Sequence, residues 1–240
     1  MLIAYIAPTL GTLSIKLNTT NRGTTTLDVG NSFTCNKAVF SATADSIGDL
    51  PENAKMTLSG TDSADFSNRL LASTLSTSNN LDLDSGATIT VQRATDDGTV
   101  TFSLTTESQT TSDTQSKSKS YFFRWRNYMA ASTIEISDAS DLQSVLNNDI
   151  VDHALDTNKS WEAECTSENN NTSKFTYIIY PNDYGDLTGV IQDGATPVLS
   201  AFTKVGDFTA VNDYNASRTW RVYKSNSEGA FSSGTILTIS

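Results

Sequence analysis

One histidine, two cysteines and 27 carboxylates are the groups with which this 240-residue chain could do chemistry. A single histidine, His153, leaves little from which to build a Ser-His-Asp triad, a His-based zinc site or a His general base. It follows a short predicted helix and reads as a surface or packing residue. Cys165 has no second Cys or His near it in sequence, so a thiol nucleophile has little support. Cys35 and Cys165 fall in opposite halves of the chain. We read both as free thiols packing as small hydrophobes, in preference to a bridge between domains, and nothing points to an oxidising compartment.

Two carboxylate clusters have the spacing of cation loops. Asp82-Leu-Asp84-Ser-Gly86 resembles the opening of a calcium loop, but Arg93 stands where the bidentate glutamate belongs. Asn182-Asp183-Tyr-Gly-Asp186 could hold a hard cation, yet the same residue types are ordinary turn formers. Both read as turns. A glycosidase needs two convergent carboxylates, and no spacing here predicts convergence. Trp161, Trp220 and Tyr223, or Tyr180 and Tyr184, could form a sugar-stacking platform. The alternation of Trp220 and Val222 with Arg221 and Tyr223 fits a core strand better. No glycine loop cradles a phosphate. No catalytic, cofactor-binding or metal-ligating residue is therefore assigned, and the chain is expected not to be an enzyme.

The elements that carry these residues read as β-structure. Thr and Ser exceed a quarter of the chain, while charged residues are only 18% and prolines number four. Thr suits half-buried pleated surfaces, and Ser suits turns. The net charge of −11 opposes nucleic-acid binding, which needs basic clusters to displace counterions. No stretch approaches the roughly 20 apolar residues of a membrane span, and the apolar start lacks the basic flank of a signal peptide.

In order, Met1–Ala7 is an apolar arm. Met1, Leu2, Ile3, Tyr5 and Ile6 are expected to pack on a partner or on the domain's own edge. Residues 8–125 are expected to form one β-sandwich of seven or eight short strands, with Asp96-Asp97-Gly98 as a hairpin turn. Residues 126–240 are expected to form a second β-sandwich with a short helix near 139–147, where Leu142, Val145 and Leu146 fall at i, i+3 and i+4 behind Ser137-Asp138. Strands are predicted at Lys159–Glu164, Lys174–Tyr180, Val198–Thr203, Phe208–Asn212, Arg218–Lys224 and Thr235–Ile239. Between the halves lies Ser120–Tyr128, with five of the chain's 21 aromatic residues. Tyr121, Phe123 and Trp125 are expected to close the first core. Arg124 and Arg126 are expected to face the junction, making this an interdomain strand that holds the halves at a fixed angle.

Several stretches taken together resemble a known group. They are Ala4-Tyr5-Ile6-Ala7-Pro8-Thr9, Leu27-Asp28-Val29-Gly30-Asn31-Ser32, Lys119–Tyr128, Tyr177-Ile-Ile-Tyr-Pro181 with Tyr184-Gly185, and Trp220-Arg-Val-Tyr-Lys224. Their order is similar to that in virion structural proteins of tailed bacteriophages, which carry tandem immunoglobulin-like β-domains in fibres, tail appendages and capsid decoration. The resemblance carries no catalytic residue and no cofactor. It implies a structural component of a bacteriophage virion, made in the host cytoplasm without a signal peptide. Its partners would be other virion proteins and copies of itself, with no nucleic acid and no membrane insertion. The alternative is a receptor- or glycan-binding module that contacts a host surface through loop aromatics.

Overall fold

The computed structural model describes residues 12–17, 20–21, 24–35, 37–41, 55–60, 69–72, 80–82, 89–105 and 116–240. The apolar arm and the loop at Asp84–Gly86 lie outside them. The described residues are mostly β-strands in sheets, with one short α-helix and two 3-10 turns among them. The chain divides into two compact units, one of Met1–Leu27 with Asn31–Phe123 and the other of Asp28–Gly30 with Arg124–Ser240.

The strands of the first stretch are β1 (Thr12–Leu17), β2 (Thr20–Asn21), β3 (Thr26–Asp28), β4 (Ser32–Cys35), β5 (Lys37–Ser41), β6 (Lys55–Gly60), β7 (Arg69–Ala72), β8 (Asn80–Asp82), β9 (Ile89–Gln92), β10 (Gly98–Thr105) and β11 (Ser116–Ser132). In the first unit they pair antiparallel as β2-β1-β5-β8, as β4-β9, and as β11-β10-β6-β7. Leu27, Phe33, Val91, Val100, Tyr121 and Phe123 are buried, and the Phe33 and Tyr121 rings lie 4.7 Å apart. The Asp96-Asp97-Gly98 turn does not make a hairpin. β9 pairs with β4 and β10 pairs with β6 and β11, so the turn passes the chain from one sheet to another. Arg93 holds that turn by donating from Nε to the Asp96 carbonyl and from Nη2 to the Asp97 carbonyl.

The second unit adds α1 (Ala139–Asn148), β12 (Ile150–Asp156), β13 (Trp161–Glu164), β14 (Phe175–Pro181), β15 (Val190–Gln192), β16 (Thr196–Pro197), β17 (Phe202–Val211), β18 (Ser217–Ser225) and β19 (Ile236–Ile239). β12-β11-β14-β18-β17 form one antiparallel sheet and β13-β19-β15-β16 another. β14 sits centrally, and its run Phe-Thr-Tyr-Ile-Ile-Tyr-Pro is buried from Thr176 onward, as a strand covered on both faces must be. On one face Met129, Ile178, Tyr180 and Tyr223 join Trp161, Ala163, Cys165, Val190, Phe202, Phe231, Leu237 and Ile239 in a single core. The opposite face carries Tyr128, Ala130, Tyr177, Ile179, Trp220 and Val222, which the pairing registers place side by side. The helix contacts both edge strands, β12 and β17, and so crosses this face with Leu142, Val145 and Leu146 buried beneath it.

The helix begins where the sequence pattern places it. Asp138 is the N-cap, accepting from the Ser140 and Asp141 amides, and Asp141 in turn accepts from the Ser137 amide and hydroxyl. The Ser137 hydrogen bonds hold the Asp141 carboxyl below the usual carboxylate range. Three elements depart from the sequence reading. β12 and the β15–β16 hairpin are unpredicted, because Ile-Val-Asp-His-Ala-Leu-Asp alternates poorly and the hairpin strands are only three and two residues long. The two strands predicted across Val198–Asn212 are instead a 3-10 turn, Leu199–Ala201, followed by one strand, β17, with a bulge between Lys204 and Gly206.

Candidate functional site

The residues singled out for chemistry are mostly engaged in holding the second unit together. Trp161, Tyr180 and Tyr223 lie in the core between its sheets, and Trp220 is fully buried on the opposite face. There Trp220 meets Trp125 at 5.8 Å and Tyr128 at 5.4 Å, both edge-on, and its Nε1 donates to the Ala210 carbonyl. Such ring pairs each contribute roughly 0.5–1.5 kcal/mol beyond the area they bury. Tyr184 is half-buried, with its hydroxyl donating to the Asp156 carbonyl. These rings do not form an open platform.

The Asn182–Asp186 turn is a stapled loop. Asn182–Tyr184 make one 3-10 turn, and every carboxylate near it faces a cation. Asp183 accepts from Arg218 Nη2 at 2.6 Å. Asp186 accepts from Lys204 Nζ at 2.9 Å and forms an ion pair with Arg221, whose Nη1 lies 2.9 Å away. Asp207 takes a bidentate contact from Arg221, at 2.9 and 2.8 Å. Hydrogen bonding to Lys204 lowers the Asp186 carboxyl and hydrogen bonding to Arg221 lowers that of Asp207, while Asp207 raises Arg221. The local charge is already balanced by protein groups that tie the loop to β17 and β18. Among the described residues, no group of three or more His, Cys, Asp or Glu is placed to hold a metal ion.

His153 is exposed on β12. Cys165 is a free thiol, 1% exposed, and burial pushes its pKa up to about 12, so the reactive thiolate is disfavoured at neutral pH. A shallow depression of about 150 Å³ opens beside the end of α1, lined in part by Asp149, Glu168 and Lys174. Its polar groups are occupied: Asp149 accepts from the Ser132 hydroxyl, and Lys174 pairs with Glu168 at 2.7 Å. Among the described residues no helix is long and apolar enough to cross a membrane.

The expected interdomain strand requires a correction. β11 runs unbroken from Ser116 to Ser132, and the units divide between Phe123 and Arg124. Tyr121 and Phe123 are buried in the first unit. Trp125 does not close the first core. It belongs to the second unit, where it packs on Trp220 beneath the Arg218 guanidinium, 5.0 Å away. Arg126 belongs to the second unit as well, and its partner there is Asp28.

That pair belongs to a site that sequence reasoning did not anticipate. Arg126 donates from Nε and Nη2 to the two oxygens of Asp28, at 2.5 and 2.8 Å, and its Nη1 lies 3.6 Å from Asp213. The Asp28 side chain is 7% exposed and that of Arg126 19% exposed, so the fork contact is shielded, whereas Asp213 at 62% is a rim contact. Burial opposes the Arg126 charge, and the hydrogen bond and negative charge of Asp28, with smaller contributions from Tyr128 and Asp213, together more than restore it. Burial also raises Tyr128 well above an ordinary tyrosine, so it stays neutral beside this pair. The next residue, Val29, is fully buried, with its amide donating to the Arg124 carbonyl and its carbonyl accepting from Asn212 Nδ2 at 2.8 Å. Asn212 is itself fixed, since its Oδ1 accepts from the Tyr214 and Ala216 amides. Gly30, at φ +88°, passes so close to the β17–β18 turn that an added Cβ would lie 2.9 Å from Tyr214 Cβ. The only hint in the sequence is the order Asp-Val-Gly itself. Nothing local ties it to an arginine 98 positions on.

No family model, no curated protein sequence and no solved structure matches this chain.

Proposed function

We propose that this chain is a non-enzymatic structural protein of a tailed-bacteriophage particle, built from two immunoglobulin-like β-domains, that acts through protein–protein contacts. The observation that carries this reading is the use made of the chain's reactive side chains. The rings that could stack a sugar are packed into the second unit, and, among the described residues, the acids of the Asn182–Asp186 turn are spent on arginine and lysine. Side chains so engaged build a rigid module, whose work is done by its surfaces and edges. The two antiparallel sheets of the second unit, with one core between them, are compatible with an immunoglobulin-like sandwich. The order of aromatic and turn motifs supports the phage setting.

Purified particles of the phage that encodes the chain provide the test. Quantitative mass spectrometry should find the chain in stoichiometric amount, and cryo-electron microscopy should place it at symmetry-related positions. Its absence from particles, despite expression in infected cells, would refute the reading. Deleting Met1–Ala7 should leave the far-UV circular dichroism unchanged and abolish incorporation.

A further inference from the structure

We propose that the seat for Asp28–Gly30 on the second unit is an exchange site, able to take the same segment from a second copy of the chain. The proposal deepens the assembly reading and rests on it for its use in a particle, but not for the chemistry of the contact. Three groups define what the seat accepts. Arg126 reads a carboxylate with a two-pronged contact, at 2.5 and 2.8 Å. Asn212 reads the carbonyl of the following residue, whose amide pairs with the Arg124 carbonyl. Tyr214 and Ala216 then admit only a residue without a side chain, since their Cβ atoms would lie 2.9 and 3.1 Å from a Cβ at Gly30. The occupant is therefore an Asp–aliphatic–Gly segment that turns at its glycine.

This chain supplies such a segment from a distant place. Asp28–Gly30 belong to the second unit, while the residues on both sides of them belong to the first. Seat and occupant are thus separate along the chain, and recognition uses only groups within three consecutive residues. A second copy offers the identical segment with identical contacts, so exchange conserves them provided that β3, which ends at Asp28 and pairs with β11, exchanges with it. The cost of association is offset in a crowded, symmetric assembly. Each copy carries one donor and one seat, so reciprocal exchange closes a twofold pair.

Charge reversal in full-length chains tests this. Asp28→Arg spoils the donor and leaves the seat intact, and Arg126→Asp spoils the seat and leaves the donor intact. Each variant alone has a repulsive contact both within and between copies. Mixed, both contacts between unlike copies become complementary, while those within each copy stay repulsive. Native mass spectrometry of the equimolar mixture should show a dimer of one chain of each kind, absent from either variant alone. The double variant Asp28→Arg/Arg126→Asp should regain the thermal midpoint that each single variant loses. A mixture that stays as two monomers while the double variant is restored would overturn the proposal, because the contact would then form only within a chain. If the single variants fail to fold, isotope-labelled and unlabelled unmodified chains are unfolded together and refolded at high concentration. A mixed-isotope dimer supports exchange, and monomers alone refute it. Absence of the chain from phage particles would remove the virion reading and leave this result standing.

Discussion

Gly30→Ala puts the seat of the Asp28–Gly30 segment to a quantitative test. At φ +88° an alanine is strained in the left-handed region, a cost of about 1–2 kcal/mol. Its Cβ would also stand 2.9 Å from Tyr214 Cβ and 3.1 Å from both Ala216 Cβ and the Tyr214 carbonyl oxygen, and crowding of this kind costs about 1–3 kcal/mol. The stiffer unfolded chain returns about 0.4–1 kcal/mol. The net loss is about 3 kcal/mol, or roughly 10 °C in the melting midpoint of a unit of this size. All three tryptophans lie in the second unit, so fluorescence-detected urea unfolding reports on that unit directly. Gly194→Ala is the matched control, since Gly194 has φ +70° with nothing within 4 Å of an added Cβ. It should show the backbone strain alone, about 1 kcal/mol before the chain-entropy gain. Tyr214→Ala should not rescue Gly30→Ala, because the obstructing atom is the Cβ that alanine retains. Equal midpoints for Gly30→Ala and Gly194→Ala would refute the close approach on which the seat rests.

Removing Arg126 should be far more damaging than removing Arg221. Arg126→Ala leaves a carboxylate only 7% exposed without its partner, at a cost of about 3–5 kcal/mol. Arg221→Ala exposes Asp207 and Asp186 to water that already screens them, and should move the urea midpoint little. Because Asp186 and Asp207 have lowered folded pKa values, their contribution is complete above the ordinary carboxylate range, near about 4, and is lost as pH falls through the folded values. The stability difference between the unmodified chain and Asp207→Asn should therefore shrink on acidification from pH 7, and a difference that grows would contradict the assigned pairing. In a Cys35→Ser background, Cys165 should resist a thiol reagent at pH 8 until urea unfolds the chain. Its raised folded pKa also means that stability should fall as pH climbs from the ordinary thiol value towards about 12.

Local pattern was enough for some of this molecule. The α1 helix was legible from Ser137-Asp138 and the spacing of Leu142, Val145 and Leu146, because a cap and a 3.6-residue period act within one element. The strand run at Phe175–Pro181 was legible because burial on both faces needs an unbroken apolar stretch. The turn at Asp96–Gly98 was legible as a turn but not as a passage between sheets, since its chemistry says nothing about which strands pair. β12 escaped notice because a half-exposed edge strand places little demand on its side chains.

For the residues with chemical potential, the sequence determined types and local spacing, and the tertiary structure decided what each does. That Asn182–Asp186 form a turn follows from their own backbone preferences. That Arg218, Arg221 and Lys204 neutralise it depends on the register of β17 against β18. The aromatic richness of Ser120–Tyr128 was plain from the sequence, but its division was not: Phe123 serves one unit and Trp125 the next. Asp28 and Arg126 show the limit most clearly. Asp28 looks like a surface charge in its own segment and Arg126 like a residue of the junction, and only the path that carries Val29 beneath Asn212 brings them together in shielded surroundings. A long-range contact leaves no periodicity behind, because neither partner's neighbours must change to permit it.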